Sequence, residues 1–372
     1  MKILILSIPT GGGHHQAAKA IEDCFKNYEN VECKVLDIAE NVHAELAEAI
    51  SKGYILSTKV APKTYGHLYD MFDLRENPSS EASATLKLLS QAFRKKLKGY
   101  LKEFDPDVII STHVFVTITV NRIAKRNNVR AKIISVVTDF TIHPTWEQAR
   151  SDYFVTASEL LNFQAIKKWG TTENVLPIGI PVSPKFSVKI SKDEARDKLK
   201  LKNKFTVLIM MGSMGYGTNT IDAIKKLDNL DDDFQILVVC GNNSRLKSKI
   251  NRRKWKKSVC AFGFVDNVDV LMDAADCVVT KPGGLSTSEA LSKKLPILML
   301  NPIPGQEDRN KEFMLNNGIA MNISESFGVD EAVYQLIHNP YKMEQLKNNC
   351  EYFAKPDAAR NLCEFVLDKF KG

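Results

Sequence analysis

Pro177-Ile178-Gly179-Ile180-Pro181-Val182-Ser183-Pro184 divides the chain. Three prolines and a glycine in eight residues interrupt both the helical and the strand period, so the stretch predicts a linker. Before it, short β-rich runs alternate with helical patterns. The runs cover residues 2–8, 31–36, 107–111, 132–137, 153–156 and 174–176, and a helix is predicted over about 15–27. Beyond it the alternation restarts, with runs at 205–211, 234–240, 259–262, 277–280 and 296–300. Such alternation predicts α/β architecture with parallel sheets wrapped by helices. Two arrays about one linker predict two doubly wound, Rossmann-like domains, residues 1–180 and 181–355, facing each other across a cleft. Residues 356–372 predict a C-terminal helix placed to return to the first domain. A length of 372 residues also exceeds what one core usually serves.

The composition is that of a globular protein, 44% hydrophobic and 26% charged, with no apolar run near the roughly 20 residues of a membrane span. The first apolar run, residues 3–8, passes straight into Pro9-Thr10-Gly11-Gly12-Gly13 and lacks the pattern of a signal peptide. Seven cysteines without metal or redox spacing read as buried thiols of a reducing compartment, so a cytoplasmic location is expected. The net charge is +7, yet residues 245–257, RLKSKINRRKWKK, hold eight basic residues and no acidic one. That run reads as a solvated helix and loop, or as a surface for an anionic lipid or a nucleic acid.

Three glycine-rich turns each follow a strand and open a helix. Gly11-Gly12-Gly13-His14 lets the backbone approach a ligand closely. Asp37 ends the second strand where a dinucleotide's ribose acid would lie, but Gln16 occupies the fingerprint's third glycine position, and no Walker lysine follows. Gly212-Ser213-Met214-Gly215-Tyr216-Gly217 would offer backbone N–H groups to a diphosphate, or be a plain turn. Lys281-Pro282-Gly283-Gly284-Leu285-Ser286-Thr287-Ser288-Glu289 has two readings. Ser286 and Glu289 have capping-box spacing, in which the acid serves its own helix; alternatively Glu289 accepts two vicinal ribose hydroxyls.

Gly11-Gly12-Gly13-His14, Thr138-Asp139 with His143-Pro144-Thr145-Trp146, Lys281-Pro282-Gly283-Gly284 with Glu289, and Pro304-Gly305-Gln306-Glu307 occur in order over nearly the whole chain. Together they resemble the monogalactosyldiacylglycerol synthase and processive diacylglycerol glucosyltransferase group of glycosyltransferase family 28. The C-terminal half is also similar to the peptidoglycan-precursor N-acetylglucosaminyltransferase. The resemblance implies a GT-B fold and inverting transfer of glucose or galactose from a UDP-sugar to diacylglycerol. It implies a protein docked peripherally on the anionic inner face of the cell membrane, with neither metal nor other cofactor and no nucleic-acid partner.

On the same resemblance, Phe264 and Val265 cradle the uracil, and Ser213, with Gly12 and Gly13 of the first turn, faces the donor. Gly283, Gly284, Ser286 and Thr287 form the phosphate and ribose loop, Glu289 takes the ribose diol, and Gln306 and Glu307 read the sugar hydroxyls. Inversion needs a base at the acceptor hydroxyl. His14 is favoured because an imidazole titrates near neutrality, with Asp139 and His143 as rivals. The acidic run Asp231-Asp232-Asp233 reads as a solvated turn and not as a metal site.

The resemblance places the membrane surface within residues 44–104. Tyr54, Tyr65, Tyr69 and Phe72 supply aromatics there, and Leu86, Leu89, Phe93, Leu97, Tyr100 and Phe104 recur at helical spacing among lysines and arginines. This pattern fits an interfacial helix, and equally a helix packed on the sheet. Trp255 is a further candidate interfacial anchor.

Overall fold

The computed structural model describes residues 1–8, 12–37, 94–127, 129–212, 220–300 and 306–370. They form two compact units, Met1–Ser183 with Ala358–Gly372, and Pro184–Asp357.

In the first unit β1 (Lys2–Ser7), α1 (Gly13–Phe25), β2 (Glu32–Asp37), β3 (Val108–Ser111), α2 (Val114–Asn127), β4 (Lys132–Val136), β5 (Tyr153–Val155), α3 (Asn162–Trp169) and β6 (Val175–Leu176) follow in chain order. The strands pair in parallel as β2-β1-β3-β4-β5-β6. Both faces are covered, which is why β1 and β3 are apolar almost throughout instead of alternating. On one face Ala18, Ile21, Cys24 and Phe25 of α1 meet Ile3, Ile5, Val108 and Ile110. The final helix α12 (Ala358–Lys369) lays Leu362, Cys363 and Val366 into that same cluster. On the other face, helical residues 94–104 press Leu97, Leu101 and Phe104 onto Leu4, Leu6 and Ile109. This end of the predicted interfacial helix is therefore a core helix. Its earlier residues and the aromatic stretch, 44–93, lie outside the described residues.

The second unit runs α4 (Lys192–Lys198), β7 (Phe205–Met210), α5 (Thr220–Asp228), β8 (Phe234–Val239), α6 (Ser244–Asn251), β9 (Ser258–Phe262), α7 (Val268–Ala274), β10 (Cys277–Thr280), α8 (Gly284–Ser292), β11 (Ile297–Met299), α9 (Gln306–Asn316), β12 (Ala320–Asn322), α10 (Val329–His338) and α11 (Pro340–Phe353). Its parallel order is β12-β11-β10-β7-β8-β9. Strand β12 is three residues long and carries no apolar run for the sequence to reveal. Trp255 is no interfacial anchor: its ring packs against the core of this unit and its indole N–H donates to the Ile250 carbonyl at 3.0 Å.

In each sheet the strand order reverses about one point, between β1 and β3 in the first and between β7 and β10 in the second. Loops leaving the carboxyl ends of such neighbours diverge to opposite faces and leave a crevice, where open α/β sheets bind ligands. No helix among the described residues is long and apolar enough to cross a membrane. All seven cysteines are free thiols.

Candidate active site

At the reversal point of the first unit, the chain leaves β1 and turns through Gly12, whose φ of 81° is left-handed and favours glycine. Helix α1 starts at Gly13, two residues earlier than the sequence suggests, so His14 stands in its first turn. Its Nδ1 lies 2.7 Å from the Thr112 carbonyl, just past β3, and 2.9 Å from the Thr138 hydroxyl, just past β4. A carbonyl only accepts, so Nδ1 carries the proton, and neutral His14 keeps its lone pair on Nε2. Burial lowers the pKa of His14, while the Asp139 charge and the Thr112 carbonyl oppose that shift. The side chain is therefore a neutral base near pH 7.

The ring also meets His113 edge-on, with centroids 4.6 Å apart. Burial, and then the neighbouring His14, hold His113 well below the ordinary histidine value. Its Nδ1 accepts from the Phe115 N–H at 3.3 Å, so it too is held neutral. His113 is a neighbour that the sequence reading missed. The polar stop Ser111-Thr112-His113 after an apolar strand was its signal.

The rivals to His14 differ in kind. Asp139 acts on the His14 ring as a neighbouring charge. His143 caps the 3-10 turn Pro144–Gln148: its Nδ1 accepts from the Thr145 N–H at 3.2 Å and lies 2.8 Å from the Thr145 hydroxyl. That capping engages the Nδ1 of His143 within its own turn. Asp37 faces His15 at 3.5 Å.

At the reversal point of the second unit, Gly212, two residues past β7, turns with φ 85°, and the Lys281 side chain runs beside it. Ser213 lies outside the described residues. Lys281 reaches Glu307, in the first turn of α9, at 3.1 Å. The Asn310 side-chain amide ties α9 to the same loop by donating to the Pro282 carbonyl at 3.0 Å. Gln306 opens α9.

Helix α8 begins at Gly284 with Gly283 as its cap, so Ser286 lies inside the helix and no capping box forms. The Thr287 hydroxyl is buried without a hydrogen-bond partner among the described residues. Glu289 is partly exposed by area yet enclosed by protein, and burial pushes its carboxyl up to about 8, with Lys185 opposing and Asp269 adding to the shift. Beyond β9, Phe264 projects with 65% of its surface exposed, beside half-buried Val265. Lys247 stands over this turn, its Nζ 3.9 Å from where a Cβ on Gly263 would sit. The residues Asp232 and Asp233 are matched by His338 at 2.8 Å and Lys204 at 2.6 Å.

A glycine-opened helix start, a lysine–glutamate pair and a carboxyl held largely protonated gather at this end of the second sheet. A neutral imidazole at the other reversal point suits proton removal from a hydroxyl.

Residues 14–182 match the monogalactosyldiacylglycerol synthase family, and residues 191–353 match the glycosyl transferases group 1 family. A processive diacylglycerol beta-glucosyltransferase of Bacillus cereus is 27% identical over 369 residues, spanning 98% of this chain and 93% of that protein. The same enzyme of Bacillus thuringiensis is 27% identical over 371 residues, 99% of this chain and 94% of the relative. Among solved structures, Acinetobacter baumannii MurG superposes with a TM-score of 0.67 at 12% identity, covering 99% of this chain and 100% of that one. A UDP complex of Staphylococcus aureus MnaA gives 0.65 at 14%, covering 100% and 97%. At such identities the structural likeness establishes the fold alone. The chain is thus a glycosyltransferase of GT-B fold, similar in residues 14–182 to the monogalactosyldiacylglycerol synthase family and in residues 191–353 to the glycosyl transferases group 1 family.

Proposed function

We propose that this enzyme transfers glucose or galactose from a UDP-sugar to diacylglycerol, with inversion, at an anionic membrane surface on the cytoplasmic face. The observation that carries the proposal is the protonated Nδ1 of His14 held on the Thr112 carbonyl, which leaves Nε2 as the base. The lengthwise similarity to diacylglycerol glucosyltransferases supports the acceptor class.

The acceptor hydroxyl gives its proton to Nε2 of His14 as its oxygen bonds to the anomeric carbon of the sugar. The anomeric carbon–oxygen bond to the diphosphate breaks on the opposite side, and UDP leaves with the electron pair. Asp139 stabilises the imidazolium that forms. Glu289 binds the ribose hydroxyls, Phe264 and Val265 the uracil, the Gly283–Gly284 turn and Ser286 the phosphates, and Gln306 and Glu307 the sugar. Backbone N–H groups at the helix start offset the charge on the leaving diphosphate, so the reaction needs no metal. Leu160 in the turn before α3, and Phe163 and Ile166 in α3, lie exposed, with Lys167 across the Phe163 ring at 4.3 Å. An exposed apolar stripe bearing a cation suits the interface of a bilayer that holds the acceptor.

The test is extraction of lipid product after incubation with each UDP-sugar and diacylglycerol micelles, for wild type and His14→Ala. A hexosyl-diacylglycerol made only by wild type is expected. UDP-sugar binding without any lipid product would dismiss the acceptor assignment.

A further inference from the structure

Residues 245–257 carry eight basic side chains and no acidic one, one more positive charge than the +7 net of the entire chain. The remainder of the molecule is thus close to neutral, and its positive field originates on one part of the second unit.

The structure separates these eight by use. Lys257 donates to the Leu230 and Asp232 carbonyls and lies over the Phe234 ring. Lys247 stands over the Gly263 turn of the donor half. The other six, Arg245, Lys249, Arg252, Arg253, Lys254 and Lys256, are exposed. None of the six forms an ion pair with a carboxylate among the described residues. Arg253 lies over the Trp255 ring at 5.3 Å and is felt by Asp222, which Lys225 already neutralises at 2.7 Å. Leu246 and Ile250, the apolar residues of α6, are buried, and Trp255 is turned into the core. The outward face of α6 and the loop after it is therefore purely cationic, with no apolar residue to insert and no outward aromatic on which a base could stack.

We infer that this face is an electrostatic dock for an anionic bilayer, bound at the level of the lipid headgroups and separate from the donor site. The inference rests on the glycolipid reading above, which requires the enzyme to work at a lipid surface. Each basic residue near an anionic membrane adds an attraction of similar size, and salt screens all of them within a Debye length. Single-stranded nucleic acid, the competing polyanion, is held through stacking platforms that this face lacks.

Vesicle co-sedimentation tests the dock, comparing the full chain with a Lys249→Gln/Arg252→Gln/Lys254→Gln/Lys256→Gln variant. The vesicles are phosphatidylcholine alone or with an equal part of phosphatidylglycerol. Wild type is expected to bind only the anionic vesicles, and the variant to bind them about 50-fold or more weakly. Raised salt is expected to reproduce that loss in wild type. UDP-glucose titration is expected to be the same for both proteins, which shows that the variant folds. Equal vesicle binding by the two proteins overturns the inference, as does a wild type that ignores anionic vesicles or prefers duplex DNA at equal phosphate. Transfer to diacylglycerol in neutral detergent micelles reports on the glycolipid reading independently, because no anionic surface is present there.

Discussion

The imidazole of His14 donates from Nδ1 to the backbone carbonyl of Thr112, 2.7 Å away, across the point where the first sheet reverses its strand order. One backbone acceptor thereby selects the tautomer that leaves Nε2 as a base. His14→Ala is expected to lower turnover by about 100- to 10,000-fold, the usual worth of a general base. UDP-sugar affinity, measured by calorimetry, should hardly change, because the residues assigned to the uracil, the ribose and the sugar belong to the other unit. A large loss of donor affinity instead would make His14 a binding residue.

The pH profile gives a signed test of the same group. Turnover needs neutral His14, so activity should rise with pH through an apparent pKa below the ordinary histidine value and then level off. The Asp139 charge favours the imidazolium. Asp139→Asn should therefore move the acidic limb to still lower pH while reducing the plateau. A limb that stays in place would show that another group titrates.

Glu289 links donor recognition to stability. In the unfolded chain its carboxyl ionises at about 4.3, whereas in the folded protein burial holds it at about 8. Between those values the folded state keeps a proton that the unfolded state releases, so stability falls as pH rises through the window and is flat above it. Glu289→Gln should be more stable than wild type at pH above 8 by about 2–4 kcal/mol, while losing UDP-sugar affinity. Denaturant melts at acid and alkaline pH will show whether the difference grows in that direction.

Gly283 separates folding from binding. Its φ of −77° suits any residue, and among the described residues a Cβ there would meet only Glu307 Oε1 at an ordinary 4.0 Å. Gly283→Ala should therefore melt within about 0.5 kcal/mol of wild type. The added methyl occupies the approach a phosphate would take, so donor KM should rise at least about tenfold. Unchanged donor KM would remove this turn from the site.

Helix α12 buries Leu362, Cys363 and Val366 against β1, β3 and α1. Leu362→Ala should cost about 2–4 kcal/mol in urea unfolding, as for other core leucines. Removal of residues 358–372 should cost more. A truncated chain with wild-type stability would contradict this packing.

The sheets were legible because buried parallel strands are written as nearly unbroken apolar runs; β1 and β8 are of this kind, and their registers follow. Strand β12 was not, since Ala320, Met321 and Asn322 have no strand period and pair only because β11 presents an edge. The glycine turns were visible as sequence, but their use was not. Ser286 and Glu289 have capping spacing, yet the helix is capped three residues earlier, at Gly283, so Ser286 lies inside it and Glu289 is not part of a capping box. His14 could be read as a candidate base, whereas the Thr112 carbonyl that sets its tautomer is a backbone atom and has no sequence signature. The aromatic spacing around Tyr100 and Phe104 fitted both a core helix and an interfacial one. Contacts with Leu4, Leu6 and Ile109 decide for the core, and periodicity cannot report which surface a stripe faces.

The most direct test is UDP release from UDP-glucose and from UDP-galactose, with and without diacylglycerol in anionic micelles, for wild type, His14→Ala and Glu289→Gln. Release that depends on diacylglycerol with one donor, and that falls sharply in both variants, is the predicted result. Release indifferent to diacylglycerol, or undiminished in His14→Ala, would contradict the account.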